Sequence, residues 1–404
     1  MSKSKSKVAE SFLKLKSYCE SENFKGWDPY DGMNSKVFQA LPLKHWDLAR
    51  LAWIQGFKRS PINFRKVLLV PKEHNTKGVA LFLLGYCRLY MLAENGCEDF
   101  GTKAELLQRI NELSELLLSL RSKGYSGSAW GYNFDWQARR LFLFKKHTPT
   151  VVATCFCVEA LLESYKITKN ETVLKETLTA ADFVVKDLSR TTHGNGVIFS
   201  YSVLDGNNTV INASLLGAKI LSYSYKYTQN QEHANLAKLA VVAACDLQSE
   251  DGSWIYGLLP VQSWIDSFHT GFNLDAIESY QQNTGDYNFQ TYLDKGLKYY
   301  LENFFVDNGM PKYYHDKTFP IDIHCPAQVI VTLSKMNTFQ HNETLLTKVL
   351  HWTIDNMQHK KGYFYYQYRQ AMSSKISYMR WSNAFMFNAM AHYLLETKSE
   401  EYGS

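Results

Sequence analysis

The chain lacks the short signatures of several large functional classes. No Gly-x-Gly-x-x-Gly follows a strand-like run and no Walker loop is present, so nucleotide chemistry has no support. No Gly-x-Ser-x-Gly elbow occurs, and no Asp-Asp-x-x-Asp or Asp-x-Asp-Asp run supports terpene cyclisation. No run of 18 uncharged apolar residues exists, so no membrane span is expected. No apolar stretch of signal-peptide type follows the N-terminus, so a cytoplasmic location is expected. The seven cysteines are odd in number and lack a Cys-x-x-Cys pair, which reads as reduced thiols in that compartment. The net charge of +5 lies partly in Ser2-Lys-Ser-Lys-Ser-Lys7. That basic tail is expected to be disordered over residues 1–7 and is too short to bind nucleic acid.

What is present is apolar and aromatic. Apolar residues make up 45% of the 404, enough for a sizeable core, and aromatic residues reach 14%, with 26 Tyr and 9 Trp. The rings cluster in the loops between apolar segments, where they can stack on sugar faces or apolar ligands.

The pattern along the chain is repetitive. Residues 8–22 read as an amphipathic helix and 43–57 as another, with Pro61 and Pro71 framing a connector. From residue 77 onward the same triplet recurs: a helix apolar on most faces, an amphipathic helix, then a loop with glycine and aromatic residues. The loops include Gly127–Trp136, His193–Tyr201, Asp251–Tyr256, Asn308–Tyr314 and Lys361–Tyr366. The first helices start near 77, 149, 210, 268, 325 and 382, with the last steps about 57 residues each. Six hairpins with an unpaired last helix predict one closed unit, an all-α (α/α)6 toroid over residues 77–397, with N-terminal helices in 8–76 closing the ring. The apolar first helices would line the inside and the amphipathic ones the outside. Short strands are expected over the mouth of a central cavity. An open solenoid is the alternative.

Gln248-Ser-Glu-Asp-Gly-Ser-Trp254 resembles the Gln-x-x-x-Gly-x-Trp pattern of terpenoid-cyclase and prenyltransferase toroids. Five further segments together resemble a family of bacterial proteins encoded in exopolysaccharide and capsule biosynthesis clusters. They are Trp130–Gln137, Thr148–Thr154, Asp266–Leu274, Pro320–Gln328 and Ser377–Ser382. The likeness covers about residues 75–397 and is similar to the six-hairpin carbohydrate enzymes. It implies a toroid fold and surface-glycan biosynthesis, and assigns no catalytic residue.

The uncommon polar residues fall at equivalent places in the repeat, where inner helices begin and their positive ends converge. Asp266 and His269 open the fourth inner helix, Asp322 and His324 the fifth, and Arg380 with Trp381 the sixth. Asp135, Trp136 and Arg139 follow the first loop, and Trp254 and Tyr314 stand in later ones. Two carboxylates across a bowl suit glycoside hydrolysis, with Asp266 and Asp322 as acid and base, Asp135 in reserve, and His269 and His324 beside them. The bland readings are N-capping for both aspartates, a loop tie for Asp135, core packing for both histidines and a surface position for Arg139. Arg380, if buried, needs an anionic or carbonyl partner: it can pair with Asp266 or Asp322, or hold a uronate carboxylate. The same residues allow uronate β-elimination or C5 epimerisation, with His269, His324 or a tyrosine as base. A third alternative is a non-catalytic glycan-binding or assembly factor. Asp322-Ile-His-Cys325 offers zinc-ligand types, but adjacent His and Cys at one helix start rarely meet one ion. The expected site therefore holds no metal and no cofactor, and its partner is an oligosaccharide or polysaccharide, uronate-containing ones included.

Overall fold

The computed structural model describes residues 3–138 and 142–402. Three helices come first: α1 (Lys3–Ser21), α2 (Lys36–Ala40) and α3 (Asp47–Arg59). Helix pairs follow: α4 (Thr76–Glu94) with α5 (Lys103–Ser119), and α6 (Val151–Thr168) with α7 (Glu171–Leu178) and α8 (Ala180–Asp182). Next come α9 (Ile211–Thr228) with α10 (Gln231–Asp246), and α11 (Ser267–Thr284) with α12 (Gln290–Asn303). The last are α13 (His324–Lys335) with α14 (Glu343–Met357), and α15 (Phe385–Tyr402), entered through a wide π-turn over Met379–Ala384.

The ring closes. Helix α4 packs on α6, α6 on α9, α9 on α11, α11 on α13, α13 on α15, and α15 returns to α4. These are the helices that are apolar on most faces, and burial on all sides follows from that. The outer helices bury one stripe each, as α5 does with Leu106, Ile110, Leu113 and Leu117 at helical spacing. Polar caps set the starts: Asn75, Thr150 and Asp266 accept amides of α4, α6 and α11, and Thr102 with Glu105 forms a capping box on α5.

Helix α1 supplies the missing outer partner, packing on both α14 and α15. The loop glycines show the equivalence. Gly252 has φ +93°, and a Cβ there would lie 2.4 Å from the Lys295 carbonyl oxygen on α12. Gly362 has φ +100°, and its Cβ would lie 2.1 Å from the Lys14 carbonyl oxygen on α1. Gln248 Nε2 donates to the Gly252 and Tyr292 carbonyls (3.0 and 2.9 Å), and Gln358 Nε2 donates to those of Gly362 and Ser11 (2.9 and 3.0 Å). In these two loops the Gln-x-x-x-Gly spacing is thus a clamp to the next outer helix.

Two expectations need correction. Residues 3–7 of the basic tail are helical, because α1 docks on α14 and Lys7 pairs with Asp355 at 2.6 Å. Of the N-terminal helices only α1 enters the ring; α2 and α3 lie beside the cavity mouth, with α3 against β1 (Trp136–Gln137). Strand β1 pairs antiparallel with β2 (Leu143–Phe144), and β3 (Arg190–His193) with β4 (Gly196–Phe199). Strand β5 (Ile321–Asp322) pairs antiparallel with β6 (Tyr365–Tyr368), which pairs with β7 (Ser374–Ser377). The strands are short because each only ties two loops together.

Within the ring, rings of Phe156, Phe272 and Phe385 gather around the Lys77 amine. Elsewhere among the inner helices, Lys219 bridges Glu159 and Asp275 at 2.8 Å each, and Lys335 pairs with both. Each charge in this group has an opposite partner, which makes its burial tolerable.

Candidate active site

A cavity of about 350 Å³ opens where the inner helices begin. Its lining includes Lys77 of α4, Asn212 of α9, His269 of α11 and His324 of α13, each within the first turn of its helix. The turn before α15 adds Arg380 and Trp381. Equivalent positions of the repeat converge on one space, as the spacing predicts.

Asp322 sits on β5, opposite Gln367 of β6. It is buried, yet lines the cavity. Its Oδ1 accepts from Trp381 Nε1 (2.9 Å) and the His324 amide (3.1 Å), and its Oδ2 accepts from Gln367 Nε2 (2.9 Å). Burial raises its carboxyl above the ordinary range, against the pull of those donors. It is the one carboxylate among the described cavity-lining residues.

Asp266 takes a different place. Its side chain has no exposed surface. Oδ1 accepts from the His269 amide (3.0 Å), which is the helix cap; Oδ2 accepts from Trp264 Nε1 (2.9 Å) and from His269 Nδ1 (2.6 Å). Asp266 stands behind His269 and is not among the residues lining the cavity, whereas His269 is. The two form an aspartate–histidine dyad, in which an Nδ1–H donated to the carboxylate leaves Nε2 as the basic nitrogen.

His324 is fully enclosed. Its ring lies 4.1 Å from that of Trp381 and 3.8 Å from that of Phe385. Neither ring nitrogen has a partner among the described residues. Burial, reinforced by Lys77, Arg380 and His269, holds it well below the usual histidine range, so it is neutral.

Arg380 is buried, and its partner is Asp28, not Asp266 or Asp322. Nε and Nη2 reach the two Asp28 oxygens at 2.5 and 2.8 Å. Asp28 lies in the loop before α2, and Arg65 pins the same loop through Asp31 (2.6 Å) and the Asp28 carbonyl (2.7 Å). The guanidinium of Arg380 therefore holds a wall of the cavity, on which Tyr30 sits with its ring 5.6 Å from that of Trp381.

Trp136, Trp381 and Tyr314 line the cavity as expected. Trp136 stacks on Phe144 at 4.8 Å. Trp254 does not line it: its Nε1 donates to the Ala244 carbonyl (2.9 Å) and its ring fills the space beside Gly296. Asp135 also stays outside, accepting the Lys146 amide (2.8 Å) as a loop tie. Arg139 lies outside the described residues. Cys325 is buried off the cavity, so the Asp322–His324–Cys325 set does not face one point.

The residue missed was Lys77. It is 4% exposed, and its side-chain amine makes no hydrogen bond or ion pair with a described residue. Its amine lies 4.0 Å from the Phe156 ring centre, 4.8 Å from Phe385 and 5.1 Å from Phe272. Burial, with Arg380 adding, pushes it well below the usual lysine range. A lysine one residue into the start of an apolar helix, Asn75-Thr-Lys-Gly-Val-Ala80, was a signal for it. Lys58 was also missed; it lines the cavity from α3 and donates to the Tyr30 hydroxyl at 2.6 Å.

No protein-family model matches the chain, and no curated protein matches it by sequence. Solved structures do match by fold. An unsaturated glucuronyl hydrolase specific for heparin has a TM-score of 0.61 at 11% identity, covering 98% of this chain and 99% of that one. A polysaccharide lyase has 0.60 at 11%, covering 98% of each. A cellobiose 2-epimerase from Bacillus thermoamylovorans has 0.58 at 12%, covering 80% of this chain and 89% of that one. At these identities the likeness is one of fold: this chain has the (α/α)6 toroid that those proteins share.

Proposed function

We propose that this protein is a carbohydrate-active enzyme that removes the proton beside the carboxylate of a uronate, as a lyase or C5-epimerase, in bacterial surface-polysaccharide biosynthesis in the cytoplasm. The observation that carries this reading is that Asp322 is the single carboxylate among the described residues lining the cavity. Glycoside hydrolysis needs two facing the sugar, and Asp266 is committed to orienting His269. What remains is one oriented imidazole, one neutral imidazole, one carboxyl of raised pKa and cations without carboxylate partners. The similarity in fold to a lyase, a hydrolase and an epimerase of sugars agrees with a saccharide ligand.

In this reading the substrate carboxylate faces Lys77, which takes up the negative charge that develops on it. His269 Nε2 removes the C5 proton, held in orientation by Asp266. For elimination, the C4–O bond breaks and Asp322 gives its proton to the leaving oxygen, leaving a C4–C5 double bond. For epimerisation, Asp322 instead gives its proton to C5 on the opposite face, and His269 keeps the one it removed until solvent resets both. His324 hydrogen-bonds a hydroxyl, and Trp136, Trp381 and Tyr314 stack on the sugars.

The test is product analysis by mass and proton NMR after incubation with acidic and neutral oligosaccharides in deuterated water. An unsaturated uronate, or deuterium at C5, is expected, and Lys77→Met should abolish it while leaving the fold intact. New saturated reducing ends from neutral sugars would restore the hydrolase reading. Saturable binding without any product would leave a glycan-binding or assembly factor.

A further inference from the structure

The segment between residues 36 and 69, beside the cavity mouth, exposes large apolar side chains that a soluble protein usually buries. Trp46, Leu48, Ile62, Phe64, Val67 and Leu69 are all exposed, Val67 to 77%, Leu48 to 73% and Trp46 to 62%. Elsewhere such residues stand singly on separate elements, as Leu13, Met91 and Leu239 do. The segment is held together: the Lys36 amide donates to the Leu69 carbonyl (3.3 Å), the Ser35 hydroxyl to that of Leu68 (2.6 Å), and α2 and α3 pack on the same short turns.

Its charge is one-sided. Residues 36–69 hold seven Lys and Arg (Lys36, Lys44, Arg50, Lys58, Arg59, Arg65 and Lys66) and one acid, Asp47, which pairs with Arg50. Lys36, Arg59 and Lys66 are exposed among the apolar side chains. Apolar wedges ringed by cations are what an anionic lipid surface takes, since the rings and aliphatic chains enter the headgroup boundary while lysine and arginine meet the charge. A protein partner would ask for polar atoms spread through the patch, and a second copy of this chain would bring like charge against like.

We infer that this face is a peripheral membrane-docking surface for an anionic bilayer. Gln55 and Lys58 of α3 line the cavity, so docking sets the cavity mouth beside the lipid. The inference does not depend on which sugar reaction the cavity performs.

The test is flotation of the full chain with vesicles of phosphatidylcholine alone and with about one-third phosphatidylglycerol. Binding about tenfold stronger to the anionic vesicles is expected, weakened by salt. The triple variant Trp46→Ser, Leu48→Ser, Val67→Ser should lose about tenfold of it, as should Lys36→Glu with Lys66→Glu, while turnover of a soluble oligosaccharide stays unchanged. Absence of flotation with either vesicle overturns the inference. So does equal binding by both variants, or a dimer in light scattering that the triple variant dissolves without any vesicle binding by the parent.

Discussion

Replacing His324 with phenylalanine removes one proton site from the cavity wall. In the folded protein, burial, with the neighbouring Lys77, Arg380 and His269 adding to it, holds the imidazole well below its ordinary value. In the unfolded chain it titrates at about 6.5. As pH falls through 6.5, only the unfolded chain takes the proton, so the wild type loses stability on the acid side. Because the folded value lies well below the ordinary one, the loss from pH 7 to pH 5 is on the order of 2 kcal/mol, more than half of it between pH 6 and pH 5. A phenyl ring suits the place, where Trp381, Phe385 and Phe268 surround the imidazole. Every other titrating group is common to both proteins, so the comparison isolates this one. Urea unfolding of wild type and variant at pH 7, 6 and 5 should show the wild type losing on the order of 2 kcal/mol more over that range. Parallel losses would mean that His324 accepts a proton in the folded state, and the neutral imidazole would have to be abandoned.

Asp266→Asn keeps a good helix cap but removes the charge that orients His269, so stability should hold within about 1 kcal/mol while kcat falls about 10²- to 10⁴-fold; steady-state kinetics beside thermal melting separate the two. Gly362→Ala drives a Cβ into the Lys14 carbonyl and strains a positive φ, so it should cost about 2–4 kcal/mol and loosen α1, read by the melting temperature and by hydrogen exchange in residues 8–21. Trp254→Phe leaves the Ala244 carbonyl without its donor, which should cost about 1–2 kcal/mol in a urea titration and leave KM unchanged. A raised KM would return Trp254 to the ligand.

The architecture was legible because it is written many times. Six starts at nearly constant spacing, each with an apolar helix followed by an amphipathic one, leave few ways to bury the faces. Helix α1 also stands where its stripe of Val8, Phe12 and Leu15 demanded, since an unpaired α15 needed a cover. The tail was misread for the complementary reason: Lys3 to Lys7 have no apolar signal, and the partner that makes the turn worthwhile, Asp355, is 348 positions away.

The site was legible by position more than by role. His269, Asp322, His324, Arg380, Trp136, Trp381 and Tyr314 do meet around one cavity. Their chemistry depends on direction, which the spacing does not carry. Asp266 and His269 are three residues apart on one helix start, and the aspartate turns toward the imidazole at 2.6 Å, which in the proposed reading makes it a positioning group. Arg380 waited for an acid, and the acid came from residue 28, in a loop with no repeat signal. Lys77 was overlooked because one lysine in an apolar helix start looks like an edge residue until the neighbouring helices bring their phenylalanines around it.

Periodicity, caps and loop glycines in the sequence alone determined that this chain closes into a toroid and that the polar residues at inner helix starts converge. Those are local or repeated features, and each copy carries the same free-energy preference. Only the tertiary structure decided which side chains face the cavity and which face one another. That choice rests on pairs far apart in the chain, Arg380 with Asp28, Asp322 with Gln367 and Trp381, Lys77 with Phe156, Phe272 and Phe385. In a buried space of low polarity, the partner a charged group finds sets both its ionisation and its use.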